Sequence, residues 1–227
     1  MERELYAIIV GGGEGRRMGS KLPKQFIEIG GKPIVVHTID RFLAMESPPH
    51  IILVLPENYK EWWKKWCFRH NYNFRHQLAS GGITRFHSVK SALEKVSKPS
   101  IVAVHDAVRP LVATSYLERL FQLAQGCDAL IPVLEPVDSI RVKEVGGGSS
   151  RVDRANYLMV QTPQLFKSEI LIEGYSQPYL PSFTDDASVV EPLGVKITTT
   201  NGERHNIKIT ESDDLLLAQT LINALTL

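Results

Sequence analysis

Short apolar runs at residues 5–10, 51–55, 101–104, 129–133 and 195–199 divide this chain, and helical patterns fill several of the intervals between them. Each run has the length of a buried strand. Val35, Val36, Ile39, Phe42 and Leu43 recur at helical spacing within 33–45. Phe86, Val89, Ala92, Leu93 and Val96 do so within 85–96, and Leu117, Leu120, Phe121 and Ala124 within 115–124. This alternation predicts an α/β fold: a single Rossmann-like domain with a mostly parallel sheet and helices on both faces. Such sheets bind ligands at the carboxyl ends of their strands. Three loops that carry chemistry lie there: the glycines after Val10, Ser80-Gly81-Gly82, and His105-Asp106-Ala107-Val108-Arg109-Pro110.

The first loop is the most specific. Gly11, Gly12, Gly13 and Gly15 fall within five residues, followed by Arg16, Arg17 and, after Pro23, Lys24. Glycine lets backbone amides approach and point at a ligand, and fixed cations beside them make a cradle for a polyphosphate. The spacing is not that of a P-loop, which needs Gly-x4-Gly-Lys-Ser/Thr. Nor is it Gly-x-Gly-x-x-Gly, because the last position falls on Arg16 or Met18. A plain tight turn would use the glycines and leave the arginines unexplained.

A formal charge of +1 argues against a broad basic surface for nucleic acid and concentrates the cations in a site. Cys67 and Cys127 are far apart with no CxxC spacing, so neither a disulfide framework nor a cysteine metal site is expected. The N-terminus leads into a strand without a signal-peptide pattern, and the apolar runs are far shorter than a membrane span. A soluble cytoplasmic protein with no membrane partner is the expectation.

Other residues carry weaker signals. Thr84 suits an N-cap, Ser88 lies one turn into the next helix, and His105 reads as structural. Asp106 closes a strand and could hold a sugar hydroxyl or a metal-bound phosphate. Arg109, stiffened by Pro110, could clamp a phosphate. Thr184-Asp185-Asp186 reads as a helix cap, and Thr210-x-x-Asp213 as another. Trp62 and Trp66, at i and i+4, are expected to pack together. Residues 138–143 and 151–154 alternate about a Gly/Ser tip at 146–150, which predicts a β-hairpin arm over 138–154. A lone hairpin is marginal in water, so the arm should pack on something, a second subunit included. One domain spanning 1–227 then carries the arm.

In order, the motifs are Gly-Gly-Gly-Glu-Gly-Arg-Arg-Met-Gly with Pro-Lys-Gln-Phe, then Gly81-Gly82-x-x-Arg85-x-x-Ser88-Val89, then Val104-His105-Asp106-Ala107-Val108-Arg109-Pro110. Val152-Asp153-Arg154, Thr162-Pro163-Gln164 and Asn206-Ile207-Lys208 follow. Together they resemble the 2-C-methyl-D-erythritol 4-phosphate cytidylyltransferase family over nearly the whole chain. The resemblance implies transfer of CMP from CTP to the polyol phosphate with release of pyrophosphate, in isoprenoid precursor synthesis. It implies Mg2+ held mainly through CTP phosphates. By position it assigns Arg17, Lys24 and Lys208 to phosphoryl charge, and Gly11, Gly12, Gly13, Gly82, Ser88, Asp106 and Ala107 to CTP. It assigns Asp106, Arg109, Ser139, Arg154 and Thr162 to the sugar phosphate. Ser139 and Arg154 would reach from the arm into the neighbouring site of a homodimer.

Three positions depart from the family pattern: Gly11 for alanine, Ile83 for aspartate and Ser139 for threonine. Two alternatives stay open at this point. A ribitol-5-phosphate cytidylyltransferase shares the loop and arm, and a non-catalytic nucleotide-binding regulator would keep the fold while losing turnover.

Overall fold

The computed structural model describes residues 3–13 and 22–225. Arg16 and Arg17 lie outside the described residues. In chain order the first half runs β1 (Glu4–Val10), β2 (Glu28–Ile29), β3 (Lys32–Pro33), α1 (Ile34–Leu43), β4 (His50–Leu55), α2 (Lys60–Arg69), β5 (His76–Ser80), α3 (Arg85–Leu93) and β6 (Ser100–Asp106). The second half runs α4 (Thr114–Ala124), β7 (Ala129–Leu134), β8 (Arg141–Lys143), β9 (Ser149–Arg151), β10 (Met159–Val160), β11 (Gln164–Lys167), α5 (Ser168–Ser176), α6 (Asp186–Val190), β12 (Ile197–Asn201) and α7 (Ser212–Leu225).

The central sheet is mixed around a parallel core. β5, β4, β1 and β6 are parallel neighbours in that order. β11 then enters antiparallel between β6 and β7. Ala129 of β7 faces Phe166 of β11 on one side and Ile197 of β12, parallel, on the other. β10 also pairs antiparallel with β7, ahead of β11.

Alternation along the strands splits the core into two layers, since successive side chains point to opposite faces. Ala7, Ile9, Leu53 and Ala103 join Val35, Ile39, Phe42, Trp63, Leu117 and Leu120 on the face of α1, α2 and α4. Tyr6, Ile8, Ile52, Val54, Val102 and Val104 join Phe86, Val89, Leu171, Tyr175 and Val189 on the face of α3, α5 and α6. Full burial of one such side chain contributes about 2 kcal/mol. The strands are thus buried on both faces, and their loops at the carboxyl ends are held on a rigid platform.

Some local expectations are revised. Trp66 stacks on Trp63, with centroids 5.9 Å apart, while Trp62 packs on Phe26 at 4.4 Å. The cap before α7 uses Asp214, one residue beyond Asp213: its Oδ2 accepts from the Thr210 amide and hydroxyl and from the Glu211 amide. Ser149 and Ser150 belong to strand β9, and the tip is set by Gly146, Gly147 and Gly148, all at positive φ. Such a turn suits glycine because a side chain is strained there. Arg154 begins a short turn beyond the hairpin. Both cysteines are free. Among the described residues no helix is long and apolar enough to cross a membrane.

Candidate active site

Two adjoining cavities open at the carboxyl ends of the strands. The first, about 230 Å³, is lined by Gly12, Gly13, Lys24, Gly82, Ile83, Thr84 and Ser88, among others. The second, about 280 Å³, is lined by Arg109, Gln161, Thr162, Gln164, Thr184 and Asp185. Arg85, Asp106 and Lys208 line both. Wider openings exist elsewhere, against α4 and beside Trp63, but neither gathers a glycine backbone with cations.

The first glycine loop is held from below. The Gly11 amide donates to Val54 O at 2.9 Å. Buried Gln25 donates through Nε2 to Gly11 O at 2.6 Å and to Gly13 O at 3.1 Å. The Gly12 and Gly81 backbones touch: a Cβ at Gly12 would lie 2.9 Å from Gly81 Cα, and one at Gly81 only 2.6 Å from Gly12 O. Only glycine fits that approach. Gly11 is more forgiving. A Cβ there would meet Ala107 Cβ and Val54 O at 3.2 Å, so the alanine of the family pattern needs only a slight adjustment.

Ser88 Oγ accepts from the Gly82 amide at 3.0 Å and donates to Thr84 O at 3.0 Å. A hydroxyl has two acceptor lone pairs and one proton, so one lone pair stays available to the cavity. Thr84 caps α3, as its sequence position implies. Asp185 caps α6 in a reciprocal box with Ser188.

At the junction, Asp106 Oδ2 accepts from Lys208 Nζ at 2.9 Å and from Arg109 Nε at 3.4 Å, while Oδ1 lies 3.6 Å from Arg85 Nε. Burial disfavours the Asp106 anion, but Arg85, Lys208 and Arg109 together outweigh it and hold its carboxyl well below the usual range. Asp106 is therefore charged at neutral pH. Arg109 Nη1 donates to Asn206 O at 2.7 Å, and Asn206 Nδ2 donates to Thr162 O at 2.7 Å. Lys24 Nζ donates to Ile209 O at 3.2 Å, which ties the first loop to the segment carrying Lys208.

His105 is fully buried beneath this floor. Its Nε2 donates to Arg109 O at 3.1 Å, because a carbonyl can only accept. Nδ1 therefore accepts from Thr162 Oγ1 at 3.1 Å, and that oxygen accepts from the Asp106 amide at 3.1 Å. The histidine orients the Asp106–Arg109 loop and faces no cavity. Burial pushes it down to about 4 from 6.5. Between those values the unfolded chain binds a proton that the native chain excludes, so stability rises with pH. The contribution is present above 6.5 and lost as pH falls toward about 4. His105→Gln keeps a donor and an acceptor without the titration. Urea unfolding at about pH 7 and about pH 5 should show the wild type losing about 2 kcal/mol more than the variant on acidification. Equal losses would show that His105 titrates freely in the native state.

The site thus gathers Gly12, Gly13, Lys24, Gly82, Ser88, Asp106, Arg109, Thr162 and Lys208. Gly11 and Ala107 are buried behind it. The Ala107 carbonyl is occupied by the Thr38 hydroxyl at 2.9 Å. Ser139 and Arg154 line neither cavity and are exposed on the arm, where Arg154 donates to Val137 O. Arg17 is outside the described residues. Gln25, Gln161 and Asp186 also act here: the sequence marks Gln25 only as part of Pro-Lys-Gln-Phe and Asp186 only as part of a cap, and Gln161 not at all. Gln161 Nε2 bonds Glu203 O at 2.9 Å and Asn206 O at 3.3 Å, joining two segments distant in the chain.

Among the described residues no group of three or more histidine, cysteine or acidic side chains could hold a metal ion. The carboxylates lining the two cavities are Asp106 and Asp185. Asp185 is engaged by Gln164 Nε2 at 2.8 Å and the Ser188 amide at 2.9 Å. That donor set fits an ion carried in on a polyphosphate, with Asp106 as its protein carboxylate, better than a resident metal cage.

Comparison with known proteins agrees with this geometry. A model of the IspD family, 2-C-methyl-D-erythritol 4-phosphate cytidylyltransferase, matches residues 5–224. The chain is 46% identical over 215 residues to the 2-C-methyl-D-erythritol 4-phosphate cytidylyltransferase of Bacteroides thetaiotaomicron, covering 95% of this chain and 98% of that protein. It is 46% identical over 217 residues to that of Phocaeicola vulgatus, covering 96% and 99%. The crystal structure of the Thermus thermophilus enzyme superposes with a TM-score of 0.76 at 27% identity, over 99% of this chain and all 100% of that one. A family match over residues 5–224 and 46% identity across nearly the whole of both chains place the chain in one family: it belongs to the IspD family, the 2-C-methyl-D-erythritol 4-phosphate cytidylyltransferases.

Proposed function

We propose that this chain transfers CMP from CTP to 2-C-methyl-D-erythritol 4-phosphate, giving 4-diphosphocytidyl-2-C-methyl-D-erythritol and pyrophosphate for isoprenoid precursor synthesis. The observation that carries the reading is the wall common to the two cavities, Arg85, Asp106 and Lys208. CTP occupies the glycine-lined cavity and the polyol phosphate the one beside Arg109 and Thr162, so donor and acceptor meet at Lys208. An acceptor phosphate oxygen attacks the α-phosphorus. The bond from that phosphorus to the β-phosphate oxygen breaks in line, and pyrophosphate leaves. The attacking phosphate is already ionised, so no strong general base is required. Positioning and charge neutralisation do the work.

Lys24 faces the CTP phosphates, with Arg17 assigned beside it from the family motif. Lys208 neutralises charge at the α-phosphate and Arg109 holds the acceptor. The free lone pair of Ser88 suits the exocyclic amine of cytosine. Mg2+ bound to the CTP phosphates would supply further charge neutralisation, with Asp106 available to it.

The arm supports a homodimer. Val142 and Val145 on the hairpin, and Val137, Tyr157, Leu158, Met159 and Val160 beside its base, are all exposed. A second subunit seated on the arm would cover these side chains. Ser139 and Arg154 would then serve the acceptor site of the other subunit.

The test is pyrophosphate release with CTP and, in parallel, 2-C-methyl-D-erythritol 4-phosphate or ribitol 5-phosphate. Turnover with the first and little with the second is expected. Preference for ribitol 5-phosphate would replace the acceptor, and CTP binding without turnover on either would make the chain a nucleotide-binding regulator.

A further inference from the structure

We infer that Arg85, clamped from behind by the buried Asp186–Tyr175 pair, positions Asp106 and through it Lys208 at the junction of the two cavities; the inference rests on the reaction proposed above. Arg85 opens α3 within the second glycine motif. Its Nη1 and Nη2 donate to Asp186 Oδ1 and Oδ2 at 2.8 and 2.7 Å, a bidentate pairing. Tyr175 Oη donates to Asp186 Oδ1 at 2.6 Å. Asp186 is fully buried and Tyr175 nearly so, so the fork cannot swing without leaving a buried charge unpaired.

With both terminal nitrogens taken, Nε is the part of the guanidinium that faces Asp106, 3.6 Å from Oδ1. The other carboxylate oxygen holds Lys208 Nζ at 2.9 Å. The order Tyr175, Asp186, Arg85, Asp106, Lys208 therefore runs from the core to the reacting centre. Arg85 shares its charge between Asp186, its bidentate partner, and Asp106, which it helps keep ionised. Beyond that charge its contribution is orientation: it sets which way the Asp106 carboxylate faces, and so where the ammonium of Lys208 rests. A displacement of about 1 Å at a reacting centre can cost on the order of a hundredfold in rate.

A tie that merely fastens α3 to α6 would contribute stability and leave turnover alone. Two variants separate the readings. Arg85→Lys keeps the charge and loses the fork. The pair Arg85→Gln with Asp186→Asn removes both charges together, so no buried ion is stranded if the first variant fails to fold. Folded protein of either kind should lose at least about tenfold in kcat while KM for CTP moves less than about threefold. A crystal structure of the paired variant should show the Asp106 carboxylate rotated or Lys208 Nζ drawn away from it. Normal kcat beside an active wild type, or a raised KM at unchanged kcat, would overturn the assignment. So would an undisturbed Asp106–Lys208 contact, whatever reaction is catalysed. An inactive wild type under both acceptors would instead count against the proposed reaction, and the crystal structure would still decide the role of Arg85.

Discussion

Replacing Lys208 by alanine should lower kcat by about a hundredfold or more and leave the KM for CTP within a small factor, the pattern for loss of an interaction made chiefly in the transition state. Lys208 Nζ sits 2.9 Å from Asp106 Oδ2 on the wall common to both cavities, with its side chain 42% exposed. It is therefore pinned at one side and open on the other. In the ground state its charge is matched by Asp106, so CTP binding gains little from it. As the acceptor oxygen closes on the α-phosphorus, negative charge spreads over the phosphoryl oxygens, and the ammonium is a cation placed between the two substrates. Lys24 lines the nucleotide cavity alone, so Lys24→Ala should lower kcat while also raising the KM for CTP. Single-turnover measurements with CTP in excess would separate the two lysines. A Lys208→Ala enzyme with near-normal kcat would reduce Lys208 to a surface charge balancing Asp106.

The parallel half of the sheet was legible because β1, β4 and β6 are buried on both faces and read as unbroken apolar runs. β5 was not: His76-Gln77-Leu78-Ala79-Ser80 is a half-buried edge strand with little apolar surface to mark it. β11 was also missed, and its antiparallel entry between β6 and β7 is a tertiary outcome with no counterpart in local spacing. The glycine loops and Asp106-Arg109 could be found because close backbone approach and fixed charge demand particular residue types at fixed spacing. Asp186 could not. It follows Asp185, whose capping role accounts for the acidic pair, while its ion-pair partner Arg85 lies 101 residues away. Gln25 is a similar case: the local pattern marks the glycines it holds, and nothing in the pattern says that a glutamine amide is needed beneath them.

Mixing Arg154→Ala subunits with Lys24→Ala subunits should restore activity that neither has alone, to about a quarter of the wild-type level at equal amounts after full exchange. The fraction follows from symmetry. Random reassortment makes about half of the dimers hybrid, and in each hybrid one site pairs an intact Lys24 with an intact Arg154 from across the two-fold axis while the other has neither. The structure motivates the trans arrangement in three ways. Arg154 lines neither cavity of its own chain, its guanidinium being held at the arm by the Val137 carbonyl. The strands β8 and β9 pair with each other and not with the central sheet. Val142 and Val145 on the hairpin are exposed, apolar surface that a lone two-stranded hairpin does not cover. Docking on a second subunit would cover the exposed valines and bring Arg154 to an acceptor phosphate that it can grip bidentately. Activity no higher than that of the separate variants, with subunit exchange demonstrated by a mass-tagged hybrid, would place Arg154 in its own subunit's site. A strictly monomeric protein by sedimentation would remove the interface itself.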